Sequence, residues 1–200
     1  MFQDLLYYPL GPGVEAFTTR RDSILPYLVI QGHQVHGSKV AIISRPGMTR
    51  EDLEGYDAFV TNLPGVAIGV RTADCVPILI HDPIHHVIAA VHSGWKGTVQ
   101  KIAMKTIGIL EAKYKSSPEK LVAVIGPSIG PGDGSPMSGG HHIDLWLANK
   151  WILGECGLKE KNIMVSGIDT YSDPSFFSAR REGIECGRNI NAIMLKTSES

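Results

Sequence analysis

Residues 66–91 read VAIGVRTADCVPILIHDPIHHVIAAV, and this stretch decides the fold. It contains three short runs rich in β-branched residues, at 66–71, 76–81 and 87–91. Val and Ile favour strands, whereas the Asp and Pro residues between the runs favour turns. Connections this short join antiparallel neighbours, because a parallel crossover needs a dozen or more residues. The segment therefore predicts a buried sheet with antiparallel or mixed pairing.

The flanking sequence continues this pattern on both sides. Upstream, the runs at 39–44 and 57–61 are further strand candidates. Downstream, we expect strands at 121–125, 162–166 and 190–195, because each is a short apolar run bounded by turn residues.

Two helices are predicted after the central segment. The first covers 98–114 with Thr98 as its N-cap, since apolar residues recur there at spacings of three and four. The residues on its apolar face are Val99, Ala103, Ile107, Leu110 and Tyr114. The second helix covers 144–155, with Asp144 as its cap. Between them, residues 130–140 (GPGDGSPMSGG) are rich in Gly, Pro and Ser, so we expect a flexible or shortened loop there.

Length and composition narrow the classes of protein that fit. A chain of 200 residues is sufficient for one domain, which we place at 1–200. The net charge of −1 and the lack of a long apolar run favour neither nucleic-acid nor membrane partners. The 3 cysteines are widely spread, and Cys156 and Cys186 are interpreted as packing residues. With no signal peptide recognised, we expect a cytoplasmic protein.

Three turns each end in a soft metal ligand. They are His36 in QVHG, Cys75 in RTADC and His92 in VHSGWKG. Two imidazoles and one thiolate suit a borderline-soft cation such as zinc or copper. Because three ligands leave one coordination position open, the pattern predicts a catalytic metal rather than a structural one.

Charged neighbours of these ligands suggest further roles. Asp74 adjoins Cys75 and could orient a histidine ligand or a water molecule through its carboxylate. Arg71 and Lys96 lie within a few residues of proposed ligands, and either could hold a phosphate group. The start of the predicted helix at Thr98 would add free N–H groups to the same anion-binding region.

The segments around the three ligands closely resemble the YfiH-like family, the laccase-domain or polyphenol-oxidase-like proteins also described as purine nucleoside phosphorylases. The segments that carry the resemblance are QVHG (34–37), RTADCVPILI (71–80), AAVHSGWKGT (89–98) and GPSIG (126–130). Further matching segments are FTTR (17–20), HIDLW (142–146) and FFS (176–178), so the resemblance covers nearly the whole chain.

The resemblance implies an α+β fold, layered α/β/β/α, with mixed and largely antiparallel sheets. It implies a zinc site formed by His36, Cys75 and His92. It also implies phosphorolysis of adenosine, inosine and methylthioadenosine, so that a nucleoside and phosphate would be the partners. Adenosine deamination and a copper-dependent phenol oxidase activity are implied beside it.

The residues themselves leave other activities open. Two histidines and a cysteine are also a blue-copper ligand set, which would suit oxidation of phenols. A metal-free cysteine hydrolase would use Cys75 as nucleophile and His92 as base, with Asp74 orienting the histidine. A metal-stabilised binding protein without turnover is a further possibility. The oligomeric state is not predicted.

Overall fold

The computed structural model describes residues 5–132, 137–138 and 141–197. The strands are β1 (Leu5–Tyr7), β2 (Val14–Thr19), β3 (Val29–Ile30), β4 (Val40–Ile42), β5 (Ala58–Thr61), β6 (Ala67–Thr72), β7 (Val76–Asp82), β8 (Val87–Ser93), β9 (Val122–Ile125), β10 (Met137–Ser138), β11 (His141–His142), β12 (Ile163–Val165) and β13 (Asn189–Leu195). The helices are α1 (Trp95–Val99), α2 (Ile102–Tyr114), α3 (Leu145–Glu155) and α4 (Ala179–Glu182).

A six-stranded sheet forms the centre of the molecule, in the order β12-β9-β7-β8-β5-β4. The central hairpin β7–β8 is antiparallel and pairs Val76 with Ser93 and Pro77 with His92. Strands β5 and β9 add to it antiparallel, whereas the outer strands β4 and β12 pair parallel with their neighbours. The mixed, largely antiparallel pairing predicted from short connections is confirmed.

A five-stranded sheet packs against the first, in the order β1-β2-β13-β6-β3. The late strand β13 lies between β2 and β6 and is antiparallel to both. Only the short strand β3 among the described members pairs parallel, with β6. This sheet places the carboxyl end of β6, and with it Arg71, beside the loop that follows β3.

Three apolar clusters stabilise these layers. Residues such as Phe59, Ile68 and Leu79 are buried between the two sheets. On the other face of the six-stranded sheet, Ile78 and its neighbours pack against α2 and α3. On the outer face of the five-stranded sheet, Phe17 and Ala192 pack against loop residues such as Tyr27.

The first predicted helix is wrong in its start and in its continuity. A five-residue helix, α1, begins at Trp95 with Gly94 as N-cap, and Lys101 then adopts a left-handed conformation (φ 56°) before α2 begins at Ile102. The break changes which residues face the core, so that Val99 is 69% exposed. Thr98 does not cap a helix, because its hydroxyl is buried and accepts a hydrogen bond from the Asn149 side chain.

The remaining predicted elements agree with the structure within one or two residues. Helix α3 has Asp144 as N-cap, and the Asp144 carboxylate accepts a hydrogen bond from the Leu147 amide at 2.9 Å. Of the predicted flexible loop at 130–140, residues 133–136 and 139–140 lie outside the described residues. Strand β10 within it pairs antiparallel with β11. Among the described helices, none has both the length and the apolar character that crossing a bilayer requires.

Candidate metal centre between two cavities

The structure brings His36, Cys75 and His92 together. One ligand atom from each of them lies within 4.8 Å of the others. Cys75 directly precedes β7 and His92 lies near the end of β8, so the hairpin register places these two side by side. His36 comes from the loop between β3 and β4, and its ring centroid is 4.9 Å from that of His92.

Asp57 joins two of these three segments. Its carboxylate is fully buried and accepts a hydrogen bond from His92 Nδ1 at 2.7 Å. The same carboxylate accepts hydrogen bonds from the backbone amides of Val35, His36 and Gly37, at 3.2, 2.9 and 2.8 Å. Because the carboxylate only accepts, Nδ1 of His92 carries the proton and Nε2 is left free to bind a cation.

Two backbone features allow the segments that bear His36, Cys75 and His92 to lie close together. One is the absence of a side chain at Gly94, and the other is the conformation of His36. A Cβ atom at Gly94 would lie 2.8 Å from the Cys75 sulfur, which is closer than real side chains come. His36 adopts a left-handed backbone conformation (φ 60°), which is uncommon outside glycine and is stabilised here by the amide bonds to Asp57. The loop around His36 is therefore fixed by a buried charge rather than by packing.

The three ionisable groups alter one another's protonation. Burial raises the pKa of the Cys75 thiol, but His92 and His36 outweigh it and lower that pKa to about 6. Burial lowers the pKa of His92, yet the Cys75 thiolate and Asp57 raise it to about 9. Burial also raises the pKa of Asp57, and its bonds with His92 and Gly37 more than offset this, so the net shift is downward. The site thus favours a thiolate, the form that binds metals.

The donor set fits a borderline-soft cation. One thiolate sulfur and two imidazole nitrogens converge within a few ångströms, and the sulfur is already in its ligand form near neutral pH. The buried carboxylate behind His92 supplies the hydrogen bond that metal-binding histidines usually make with their second nitrogen. These three residues could hold a metal ion.

Two cavities meet at this centre. The first has a volume of about 580 Å³ and the second about 400 Å³. His36 and Cys75 line both cavities, whereas His92 lines the first. The walls differ in character, since arginines line the first cavity and Trp95 with aliphatic residues lines the second.

The other predicted site residues lie in different places. Arg71 lines the first cavity, as a phosphate-binding role requires. Lys96 is exposed, with its ammonium 5.7 Å from the centre of the Trp95 ring, and it lines neither cavity. Helix α1 begins beside the centre but is too short, at 5 residues, to provide the predicted anion-binding terminus.

Asp74 does not orient His92, and Asp57 has that position instead. The Asp74 carboxylate accepts hydrogen bonds from the Thr170 hydroxyl at 2.8 Å and the Arg180 amide at 2.7 Å. These bonds turn it towards the segment 170–180 and place it in the wall of the second cavity. The Asp74 backbone is left-handed (φ 87°). Although Asp74 and Cys75 are adjacent in sequence, their side chains therefore have different partners.

Several residues of the site were not predicted. Asp57 directly precedes a buried strand, and an acidic residue at the start of an apolar run was the one signal that the sequence offered. Arg50 and Arg188 line the first cavity, but they are far in sequence from the ligands and form no motif with them. Cys186, predicted as packing, also lines this cavity.

Comparison with known proteins places this site in a family. A family profile described as "Multi-copper polyphenol oxidoreductase laccase" matches residues 19–135 and 132–196. The chain belongs to this laccase-like YfiH family.

Two relatives of this chain in the YfiH family are named for different activities on nucleosides. A purine nucleoside phosphorylase of Bacteroides thetaiotaomicron is 37% identical over 180 residues, which cover 78% of this chain and 67% of the relative. An adenosine deaminase from an unknown prokaryotic organism is 34% identical over 198 residues, covering 84% of this chain and 75% of the relative.

Solved structures of the YfiH family share the fold. The YfiH protein of Bacillus licheniformis aligns with a TM-score of 0.82 at 21% identity, covering 95% of this chain and 99% of that one. YlmD from Geobacillus stearothermophilus aligns with a TM-score of 0.81 at 22% identity, covering 98% of each chain. The α+β class predicted from the sequence is confirmed.

Proposed function

We propose that this YfiH-family chain is a zinc-dependent purine nucleoside phosphorylase acting on adenosine, inosine and methylthioadenosine, with adenosine deamination as a second activity. The observation that carries the proposal is the placement of His36 and Cys75 in the wall between a basic cavity and an aromatic one. One relative is named as a purine nucleoside phosphorylase and another as an adenosine deaminase, which supports the two proposed activities.

His36, Cys75 and His92 would hold the metal in this proposal. A bound zinc ion would supply Lewis acidity towards an oxygen of the substrate or of water. Asp57 fixes the tautomer and the orientation of His92, and through its three amide bonds it also fixes the loop that bears His36. The chain thus brings its three ligands close together through its own hydrogen bonds.

The proposed phosphorolysis exchanges one bond at C1′ of the ribose for another. An oxygen of dihydrogen phosphate bonds to C1′ while the C1′–N9 bond breaks. The electron pair of that bond leaves with the purine, which takes up a proton from the phosphate. The main task for the protein is to hold an anion against the sugar, and Arg71 is placed in the first cavity to do so. Lys96 has no part in it, because it lies outside both cavities.

The experiment that tests this function is product analysis. Protein loaded with zinc is incubated with adenosine, with and without inorganic phosphate, and the products are separated by chromatography. We expect adenine and ribose 1-phosphate only when phosphate is present, and inosine and ammonia in both cases if deamination also occurs. Absence of ribose 1-phosphate from protein that contains one zinc per chain would refute the phosphorylase assignment.

A metal-free cysteine hydrolase is the second candidate, because one feature of the site favours it. Cys75, His92 and Asp57 form a series of nucleophile, base and carboxylate, in which the Cys75 pKa is lowered to about 6. Metal analysis of protein purified without added metal separates the candidates. About one zinc per chain supports the phosphorylase, and no metal with rapid alkylation of Cys75 supports the hydrolase. Stoichiometric copper with intense visible absorption would indicate a phenol oxidase instead.

A further inference from the structure

The first cavity contains two arginine side chains whose hydrogen-bond donors are not used by other described residues. Arg50 and Arg71 both line it, and within the described part of the chain neither guanidinium group has a hydrogen-bond or ion-pair partner. Glu185 is the one carboxylate among the described lining residues. Partial burial, followed by the nearby charges of Arg50 and Arg188, lowers the pKa of Arg71. The arginines therefore repel one another, and an anion between them would relieve that repulsion.

Arg188 differs from these two arginines in its contacts. Its guanidinium group donates hydrogen bonds to the backbone carbonyls of Ile184, at 2.8 Å, Gly187, at 3.0 Å, and Cys186. These bonds use its donors to hold the 184–187 loop, which forms one side of the cavity. Arg188 thus contributes charge and shape, while Arg50 and Arg71 have donors available for a ligand.

The backbone at Arg71 is fixed relative to the metal ligands. The Gln34 side chain accepts a hydrogen bond from the Arg71 amide at 2.8 Å and donates one to the Arg71 carbonyl at 2.9 Å. Gln34 precedes His36 by two residues, and Asp57 holds the His36 amide at 2.9 Å. The backbone of Arg71 is therefore fixed relative to the metal ligands, which keeps its guanidinium group within reach of the first cavity.

The second cavity is different in its chemistry. Its wall includes the aromatic ring of Trp95 and the aliphatic side chains of Ile129, Leu145 and Ile184. Trp95 is 47% exposed, so part of its ring surface is available to a ligand. Asp74 and Arg180 are the charged residues in this wall, and they provide one acceptor and one donor at its edge. A flat heterocycle with polar edges fits such a site.

We propose that the two cavities divide the two substrates: inorganic phosphate binds in the first, to Arg50 and Arg71, and the purine base binds in the second, against Trp95. This inference rests on the proposed phosphorolysis. It places the ribose C1′ at the wall that His36 and Cys75 share. The phosphate oxygen then forms its bond to C1′ from one side while the purine leaves into the other cavity with the electron pair of the C1′–N9 bond and the phosphate proton.

The test uses two variants with matched controls on zinc-loaded protein. Arg50→Gln removes one phosphate donor, and Arg45→Gln is its control, because Arg45 lies in the same loop region but pairs with Asp52. Trp95→Leu removes the stacking surface, and Trp151→Leu is its control, an exposed tryptophan on α3. The readouts are KM for phosphate, KM for adenosine, and direct titration of the protein with inorganic phosphate by calorimetry.

The expected result is a separation of the two effects. Arg50→Gln raises both the dissociation constant and the KM for phosphate by about 10- to 100-fold and leaves KM for adenosine within about twofold. Trp95→Leu raises KM for adenosine by about 5- to 50-fold and leaves the phosphate dissociation constant within about twofold. The control variants match the wild type.

Failure of this inference differs from failure of the proposed function. If ribose 1-phosphate forms but Arg50→Gln leaves the phosphate constants unchanged, the division of substrates is wrong and the phosphorylase stands. If the two variants weaken both ligands equally, the division is also wrong. If the wild type binds phosphate through Arg50 but forms no ribose 1-phosphate, the anion site stands and phosphorolysis falls. If the wild type binds no phosphate, the anion site is overturned.

Discussion

Two aspartate–histidine pairs, each with a buried carboxylate, lie at opposite ends of the β7–β8 hairpin, and they connect different parts of the molecule. Asp57 accepts a hydrogen bond from His92 Nδ1 at 2.7 Å, and Asp82 accepts one from His85 Nδ1 at 2.8 Å. Both carboxylates are fully buried. However, the His92 side chain is 3% exposed and faces Cys75, whereas that of His85 is 37% exposed at a turn.

The difference lies in which segments each carboxylate joins. Asp82 also accepts hydrogen bonds from the amides of Ile84 and His85, which stabilise the turn that connects β7 to β8. Burial raises the pKa of Asp82, but the Ser116 hydroxyl, just after α2, and His85 more than offset this. Asp57 instead holds the amides of a loop some twenty residues upstream together with a histidine on another strand. Asp57 thus connects the two histidine-bearing segments of the candidate centre, whereas the backbone bonds of Asp82 stay within its own turn.

The largest expected contrast is between the two histidines. We expect His92→Ala to reduce the metal content from about one ion per chain to near zero and to abolish turnover, because it removes a ligand. His85→Ala should keep both, with a loss of about 1 kcal/mol in unfolding free energy. Elemental analysis and calorimetry check this. Equal metal content in the two variants would contradict the assignment of the centre.

Replacing each carboxylate by an amide should give a smaller difference between the two pairs. Asp57→Asn keeps the size of the side chain but weakens the bonds that orient His92 and the His36 loop, so metal affinity should fall by about 10- to 100-fold. Asp82→Asn should leave metal affinity unchanged and lower the unfolding free energy by about 1–3 kcal/mol. Competition with a chelator of known affinity measures the first effect. An unchanged affinity in Asp57→Asn would show that the carboxylate does not orient the ligands.

The pH dependence of thiol labelling tests whether His92 acts on Cys75. The thiolate is the reactive form, so the labelling rate rises as pH rises through the pKa. In metal-free protein we expect half-maximal labelling of Cys75 near pH 6, because His92 and His36 outweigh burial there. Cys156 is the internal control, since burial and then nearby glutamates raise its pKa to about 11. Mass spectrometry of the labelled peptides gives both profiles, and a Cys75 midpoint near 8.5 would contradict the coupling.

The smallest effect concerns the space around the centre. Gly94→Ala would place a Cβ 2.8 Å from the Cys75 sulfur, so we expect a several-fold weaker metal affinity and a loss of about 1–3 kcal/mol in unfolding free energy. Gly108→Ala in α2 has nothing within 4 Å of its new Cβ and should stabilise the protein by about 0.5–1 kcal/mol. Chemical denaturation with and without zinc measures both, and a Gly94→Ala protein as stable as the wild type would indicate that the approach is not required.

The strands of the six-stranded sheet were predictable from the sequence because their signal is local, whereas β1, β2 and β3 were not predicted. β-Branched runs bounded by turn residues gave β7 and β8 within two residues of their observed ends. The break between α1 and α2 was not predictable in this way, because Lys101 carries no mark of a left-handed conformation. The break allows Ile102, the first residue of α2, to be fully buried in the core. This tertiary contact cannot be recognised from a single sequence.

The same distinction between local sequence signals and tertiary contacts applies to the residues of the candidate site. His36, Cys75 and His92 were recognisable because their residue types are uncommon in such turns and their segments resemble a family. Asp57 was missed because its partners are known only once the loop at 35–37 lies against β5. Asp74 was given its role on the basis of sequence adjacency, which a left-handed backbone at that residue invalidates.

The position of β13 has a consequence for synthesis on the ribosome. The six-stranded sheet uses residues between 40 and 165, so all of its strands are synthesised before β13. The five-stranded sheet requires residues 189–195 between β2 and β6. Until then, those two strands present open edges to their surroundings, which are sites for wrong pairing. The five-stranded sheet therefore depends on β13 to cover the open edges of two strands, β2 and β6, that are synthesised long before it.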